Sequence, residues 1–205
     1  MPNKIRRSLN RNTALQHMQE KNSYSKIAAE CLKWSYYDSF SMLSTTLTHT
    51  LFVTGTGTGK NLSQTNMPTS GQLPQGQSFT IREIQLLYSS LSEIQSETSL
   101  LGLYEMFCNS TLEFKVTGKD SLLTVTLQEL MGSVLQFIIV PSVPGDNISQ
   151  IQPWFKSCYK LDKFPITIGA TQSFSVEINH HGAPSSDLDN DKVKIVLRGD
   201  LERLS

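Results

Sequence analysis

The sequence predicts an all-β fold: an eight-stranded jelly-roll sandwich preceded by a basic, partly helical N-terminal arm. Three observations predict it. About eight short alternating or apolar runs follow one another across residues 46–205, separated by Gly, Pro, Asn and Asp turn signals. Charged residues are scarce at 18%, against roughly 25% in an average domain, and 26 serines and 18 threonines take their place. Basic charge also gathers at one end of a chain whose formal net charge is zero. A length of 205 residues fits one domain with an appended segment and readily buries a core. The arm is expected over 1–45 and the jelly-roll domain over 46–205.

The arm comes first. Residues 1–33 carry Lys4, Arg6, Arg7, Arg11, Lys21, Lys26 and Lys33 against Glu20 and Glu30, a net charge of +5 that leaves −5 on the rest. Such asymmetry suggests a tail with its own partner, although a solvated helix packed on the domain would carry the same charges. Leu15, Met18, Ile27, Ala28, Cys31 and Leu32 recur at three- and four-residue spacing, which predicts a helix over about 13–34. The aromatic cluster "KWSYYDSF" at 33–40 is expected to anchor the arm on the domain.

Then the strands begin. "TLTHTLFVT" alternates or runs apolar. "QSFTIREIQLLYSS" places Phe79, Ile81 and Glu83 on one face. Residues 91–107 read as a helix or a long loop. The clearest hairpin follows: Leu112, Phe114 and Val116 alternate with polar residues, Gly118-Lys119-Asp120 turns, and Leu123, Val125 and Leu127 alternate again. "VLQFIIVP" reads as a buried strand ended by Pro141, and "KFPITIG", "QSFSVEIN" and "KVKIVLRGDLERL" complete the set. "QSFTI" and "QSFSV" echo one another, without the fixed period of a solenoid.

The stretch "LFVTGTGTGKN" at 51–61 looks like a phosphate-binding loop. The nucleotide loop needs Gly, four residues, then Gly-Lys-Ser/Thr. Gly59-Lys60 is present, but Thr54 stands where the first glycine belongs and Asn61 where the magnesium-binding hydroxyl belongs. Residues 62–77, with Pro68 and Pro74, have a loop composition, so no helix N-terminus is expected to face a phosphate. We expect no nucleotide binding and a short strand ending in a flexible connection.

Other chemistry is thin. A nucleophile needs a neighbouring base, and none of the serines lies in a Gly-x-Ser-x-Gly elbow. His17 falls in the arm, His49 in a strand, and His180-His181 in what reads as a loop. Asp187, Asp189 and Asp191 have the spacing that opens a calcium loop, but Lys192 and Arg198 occupy the positions of its glycine and glutamate. These aspartates are therefore expected in a mobile, solvent-facing acidic loop. Cys31, Cys108 and Cys158 show no Cys-x-x-Cys and are expected as reduced, mostly buried thiols. The basic start is followed by polar residues rather than an apolar run, so no secretory leader is expected. No catalytic, cofactor or metal residue is assigned.

The order "LPQGQSFTI", "NSTLEFKVTGKDSLLTVTL", "FPITIGATQSFSVEI", "DKVKIVLRGDLERL" resembles small single-jelly-roll capsid proteins of tailless icosahedral bacteriophages, including phages with internal membranes. The resemblance spans roughly residues 70–203. It implies a shell-forming virion protein, made in the host cytoplasm, with no catalytic residue, cofactor or small-molecule substrate. Its partners would be copies of itself and other capsid proteins. The arm, through Lys4, Arg6, Arg7 and Arg11, would face packaged DNA or an internal membrane. Two other classes stay open: a carbohydrate- or receptor-binding jelly roll of spike or lectin type, and an enzyme on a β-sandwich.

Overall fold

A computed structural model describes residues 29–56, 58–89, 97–117, 121–131, 158–170 and 172–204. It is mostly β and antiparallel. The strands are β1 (Ala29–Ser41), β2 (Thr48–Leu51), β3 (Gln77–Ser89), β4 (Ser110–Val116), β5 (Leu123–Thr126), β6 (Cys158–Lys160), β7 (Ile166–Gly169), β8 (Phe174–His180) and β9 (Lys192–Leu204). Two helices, α1 (Glu97–Cys108) and α2 (Leu127–Met131), flank the β4–β5 hairpin.

One sheet has the order β1-β9-β3-β6, with β7 also on β3; the other runs β2-β8-β4-β5. Since β9 occupies one side of β3 along 77–89, β6 and β7 share the other. The two sheets contribute to one hydrophobic core. Alternation explains the strands that were expected. In β4 and β8 every second residue is buried, and Leu112, Phe114, Val176 and Ile178 are wholly so. Burying one such side chain contributes about 1.5–3 kcal/mol. The echoed phenylalanines fall one in each sheet: Phe79 in β3 and Phe174 in β8, both buried.

Several expectations are corrected. Residues 29–34 are not helical; they begin β1, which pairs with β9 along its whole length. The arm therefore does not run to residue 45, because 29–41 are built into the sheet. The three- and four-residue spacing was misleading: Tyr36 and Asp38 are buried in alternation, as a strand requires. Residues 1–28, the turn at 118–120 and the run "VLQFIIVP" at 134–141 lie outside the described residues. Leu127 ends the alternation of β5 by starting α2 while staying buried.

The face expected for β3 changes halfway. A β-bulge falls between Ile81 and Glu83, opposite Gly199 and Arg198. One extra residue, Arg82, reverses the phase, so Ile81 and Ile84 both point into the core and Glu83 points out. The bulge brings β3 hard against β9. A Cβ on Gly199 would stand 1.9 Å from the Thr80 carbonyl oxygen.

The free side of β1 is covered over its second half. Asn66 acts as a one-residue strand: its side-chain oxygen accepts from Tyr37 N at 2.8 Å, and its Nδ2 donates to Ser35 O at 2.8 Å. Thr65 Oγ1 donates to Tyr37 O, and Ser39 Oγ to Gln64 O. Backbone groups that could template pairing with another chain are thereby occupied.

Replacing Gly199 by alanine is expected to cost more than about 2 kcal/mol in chemical denaturation, since the obstacle is backbone. Gly182→Ala is the control: a Cβ there meets nothing within 4 Å, and stability should move by less than about 0.5 kcal/mol.

Candidate functional site

The phosphate-loop look-alike resolves into an internal ion pair. Asp38 lies on the inward face of β1 and is fully buried. Its Oδ1 accepts from Ser39 N at 2.8 Å and from Lys60 Nζ at 2.7 Å; its Oδ2 accepts from Phe52 N at 2.6 Å. Lys60 Nζ also donates to Ser39 O at 2.9 Å. The lysine that would have reached a phosphate neutralises a buried carboxylate instead. Phe52, at φ 65°, takes a left-handed conformation that aims its N–H at Asp38. Asp38 was missed in the sequence. Its signal was its phase: a carboxylate between Tyr36 and Phe40 on an apolar face needs a partner.

The acidic loop is not wholly solvent-facing. Ser185 caps a 3-10 turn at Ser186–Leu188, with Asp187 exposed on it. Asp189 accepts from Ser44 N at 2.5 Å and Ser44 Oγ at 3.2 Å. Asp191 is buried and accepts from the Tyr88 hydroxyl. Met42 N to Asp191 O and Asn190 N to Met42 O complete the fastening. The aspartates thus tie the β1–β2 corner to the start of β9. Among the described residues, no three His, Cys, Asp or Glu side chains converge as a metal site.

The histidines are also placed differently. His180 is the last residue of β8 rather than part of a loop, and it is buried. Ser110 Oγ lies 2.7 Å from its Nδ1 and also bonds the Met106 carbonyl. A carbonyl only accepts, so the serine proton goes to Met106 O and the hydroxyl oxygen accepts from His180 Nδ1–H. That leaves the lone pair on Nε2. A nucleophilic serine would bond its base the other way round, and Ser110 is 1% exposed. His49 of β2 stacks on Phe40 of β1 at 4.0 Å between ring centroids and meets His180 edge-on at 5.5 Å. Burial lowers both imidazoles to about 4; at His180 the neighbouring His49 and His181 push the same way. His181 is exposed beside Thr111 Oγ1.

The outer face of the β1–β9–β3 sheet carries an open groove of about 520 Å³, lined by Lys33, Trp34, Arg82, Glu83, Asp162 and Arg198. Lys33 and Arg82 both hold Asp200 at 2.5 Å. Their hydrogen bonds, Lys33 first, keep the Asp200 carboxyl below its ordinary value. On the other sheet Lys115 bridges Glu177 at 2.5 Å and Glu113 at 3.2 Å. Cys31, Cys108 and Cys158 are free thiols, but Cys31 is exposed rather than buried. Among the described residues no helix is long and apolar enough to cross a membrane.

No protein-family model, no curated protein and no solved structure matches this chain.

Lys60→Met removes the cation but leaves Asp38 its two backbone donors. It should lower stability by about 1–3 kcal/mol in urea unfolding. Titration of the unaltered protein with ATP-Mg or GTP-Mg should give no heat of binding. Because Asp189 and Asp191 are spent on Ser44 and Tyr88, melting in EDTA and in millimolar calcium should agree within about 2 °C; a site confined to the folded form would raise the calcium value.

Proposed function

We propose that this protein is a jelly-roll shell subunit, a structural capsid protein whose basic arm turns to the particle interior. The observation that carries the reading is nested pairing. β1 pairs with β9, β2 with β8, β3 with β6 and β7, and β4 with β5. These are the rungs of one long antiparallel hairpin whose tip joins β4 to β5. Rolling it up lays β9 beside β3 and β8 beside β4. With β6 and β7 counted as one interrupted edge strand, this pairing supports a jelly roll of two four-stranded sheets, a kind found in capsid and lectin domains.

Other features support the shell over the alternatives. The chain is rich in Ser and Thr and poor in charge, which suits burial against other subunits. Acidic and basic groups on both outer faces are paired across strands. Residues 1–28 alone carry the +5 charge and lead directly into β1. Lys4, Arg6, Arg7 and Arg11 would meet packaged DNA or an anionic internal membrane, each contributing about 1 kcal/mol near such a membrane. In this reading the protein works in the virion after synthesis in the host cytoplasm, with copies of itself and other capsid proteins as partners. It uses no cofactor, metal or small-molecule substrate.

One observation favours a second reading, a glycan- or receptor-binding module. Trp34 is 41% exposed on the face of β1 that it shares with Tyr36 and Arg203, and an exposed ring of this kind can stack on a sugar.

Sedimentation and negative-stain electron microscopy separate the two. The full chain should form trimeric, pentameric or hexameric capsomers, and larger shells when DNA or anionic vesicles are added. Deleting residues 1–28 should leave the β-type circular dichroism intact and impair assembly. A chain that stays monomeric at high concentration, and binds a glycan array through a surface lost in Trp34→Ala, would replace the shell reading with the second.

A further inference from the structure

A continuous chain of side chains crosses the molecule from one sheet to the other. Phe40 of β1 stacks on His49 of β2, His49 meets His180 of β8, and His180 bonds Ser110 of β4, whose hydroxyl bonds Met106 O in α1. The two imidazoles are its middle links. Nε2 of each is buried and has no hydrogen-bond partner among the described residues. At His180 the neutral ring's one N–H sits on Nδ1 facing Ser110 Oγ, so a second N–H on Nε2 would be buried with no acceptor among the described residues. We propose that the His49–His180 pair is an acid-sensitive latch: protonation of the two rings releases the edge strand β2 from β8 and opens the sandwich at the β1–β2 corner.

The strand they hold is a short edge strand. β2 has four residues, sits at the edge of its sheet, and pairs only Thr48–Leu51 with Val176–Asn179. Short edge elements open locally at lower cost than central strands. Besides the ladder, His180 N donates to Leu47 O at 2.8 Å and Thr48 Oγ1 to Asn179 Oδ1 at 3.0 Å. Opening here would uncover Leu51 and Met42, now buried, next to Leu43 and Leu47, already 44% and 51% exposed.

Among the described residues, no neighbouring charge relieves the pair. The elements around it carry Asp38 on β1, Asp191 at the entrance to β9, Cys108 on α1 and His181 after β8. Asp38 is committed to Lys60 and two backbone amides, and Asp191 accepts from Tyr88. The groups that act on His180 are His49 and His181, and both oppose its charge; burial alone opposes it at His49. In the unfolded chain each ring takes up its proton near 6.5, and in the folded chain only at about 4. Between those values the open form binds more protons. The closed form is thus fully favoured above pH 6.5 and loses ground as pH falls towards 4, by up to about tenfold per pH unit for each ring.

The test is amide hydrogen exchange of the full chain at pH 7, 5.5 and 4.5, expressed as protection factors. Protection at 48–51 should fall at least tenfold between pH 7 and 4.5, while the centre of β9, 193–197, stays protected. His49→Phe keeps the stack on Phe40, and His180→Asn keeps a donor for Ser110 Oγ; neither can take up a proton there. The double variant should hold 48–51 closed at pH 4.5, and His181→Asn should respond like the unaltered protein. Imidazole NMR titration of the unaltered chain covers the case in which the double variant does not fold: both rings should titrate well below 6.5. Acid-independent protection at 48–51, equal loss at 193–197, an acid response undiminished in the double variant, or either ring titrating at 6.5 with β2 still closed would each overturn the proposal.

Discussion

The buried carboxylate of Asp38 is the point at which the two sheets are joined. It belongs to β1, yet it holds the amide of Phe52 at the end of β2 and the ammonium of Lys60 beyond. A full negative charge with no exposure is tolerable only when it is paired and hydrogen-bonded. Satisfying it forces Phe52 into its left-handed turn, and it fixes where the chain goes next. Lys60 in turn reaches Ser39 O, which sets residues 61–67 running along β1. The strand-like bonds of Asn66 and Thr65 to β1 follow from that placement. Edge protection, turn geometry and sheet-to-sheet registration thus descend from one side chain.

The opposite corner is fastened by carboxylates as well. Asp189 and Asp191 bind Ser44 and Tyr88, so the chain entering β9 is tied to the β1–β2 turn and to β3. Between these two fastenings lies the aromatic and imidazole stack. The polar groups inside the sandwich are arranged in lines that run across the strands, and each line ends on a backbone atom. Such networks specify a unique packing more sharply than apolar contacts do, because a misplaced donor is costly in a low-dielectric interior.

Much of the fold was legible in the sequence because alternation is a local signal. β4, β5, β8 and the inner face of β9 could be read directly from residues such as Leu112, Phe114, Val193 and Ile195. β1 could not. Its inward residues include Asp38 and the outward ones include Tyr37, so hydrophobicity does not alternate even over 35–38, where burial does. The bulge at Arg82 was hidden for a different reason: the phase change depends on Gly199, more than a hundred residues away. The polar sites were least legible. Gly59-Lys60 suggested a ligand outside the chain, whereas the partner was a carboxylate 22 residues earlier. Spacing motifs assume that a loop's charges face outwards, and tertiary packing decides whether they do.

The pairing of β1 with β9 has a consequence for how the chain is made. Residues 29–41 find their only ladder partner among the described strands at 192–204, and β9 is also the strand that joins β1 to β3. Synthesis proceeds from the N-terminus at roughly 5–20 residues per second, so β1 waits several seconds with an unpaired ladder. Non-local closure of this kind is slow and leaves strand edges open to neighbouring nascent chains. Many copies made on one message would then meet while their first strands are still unpaired.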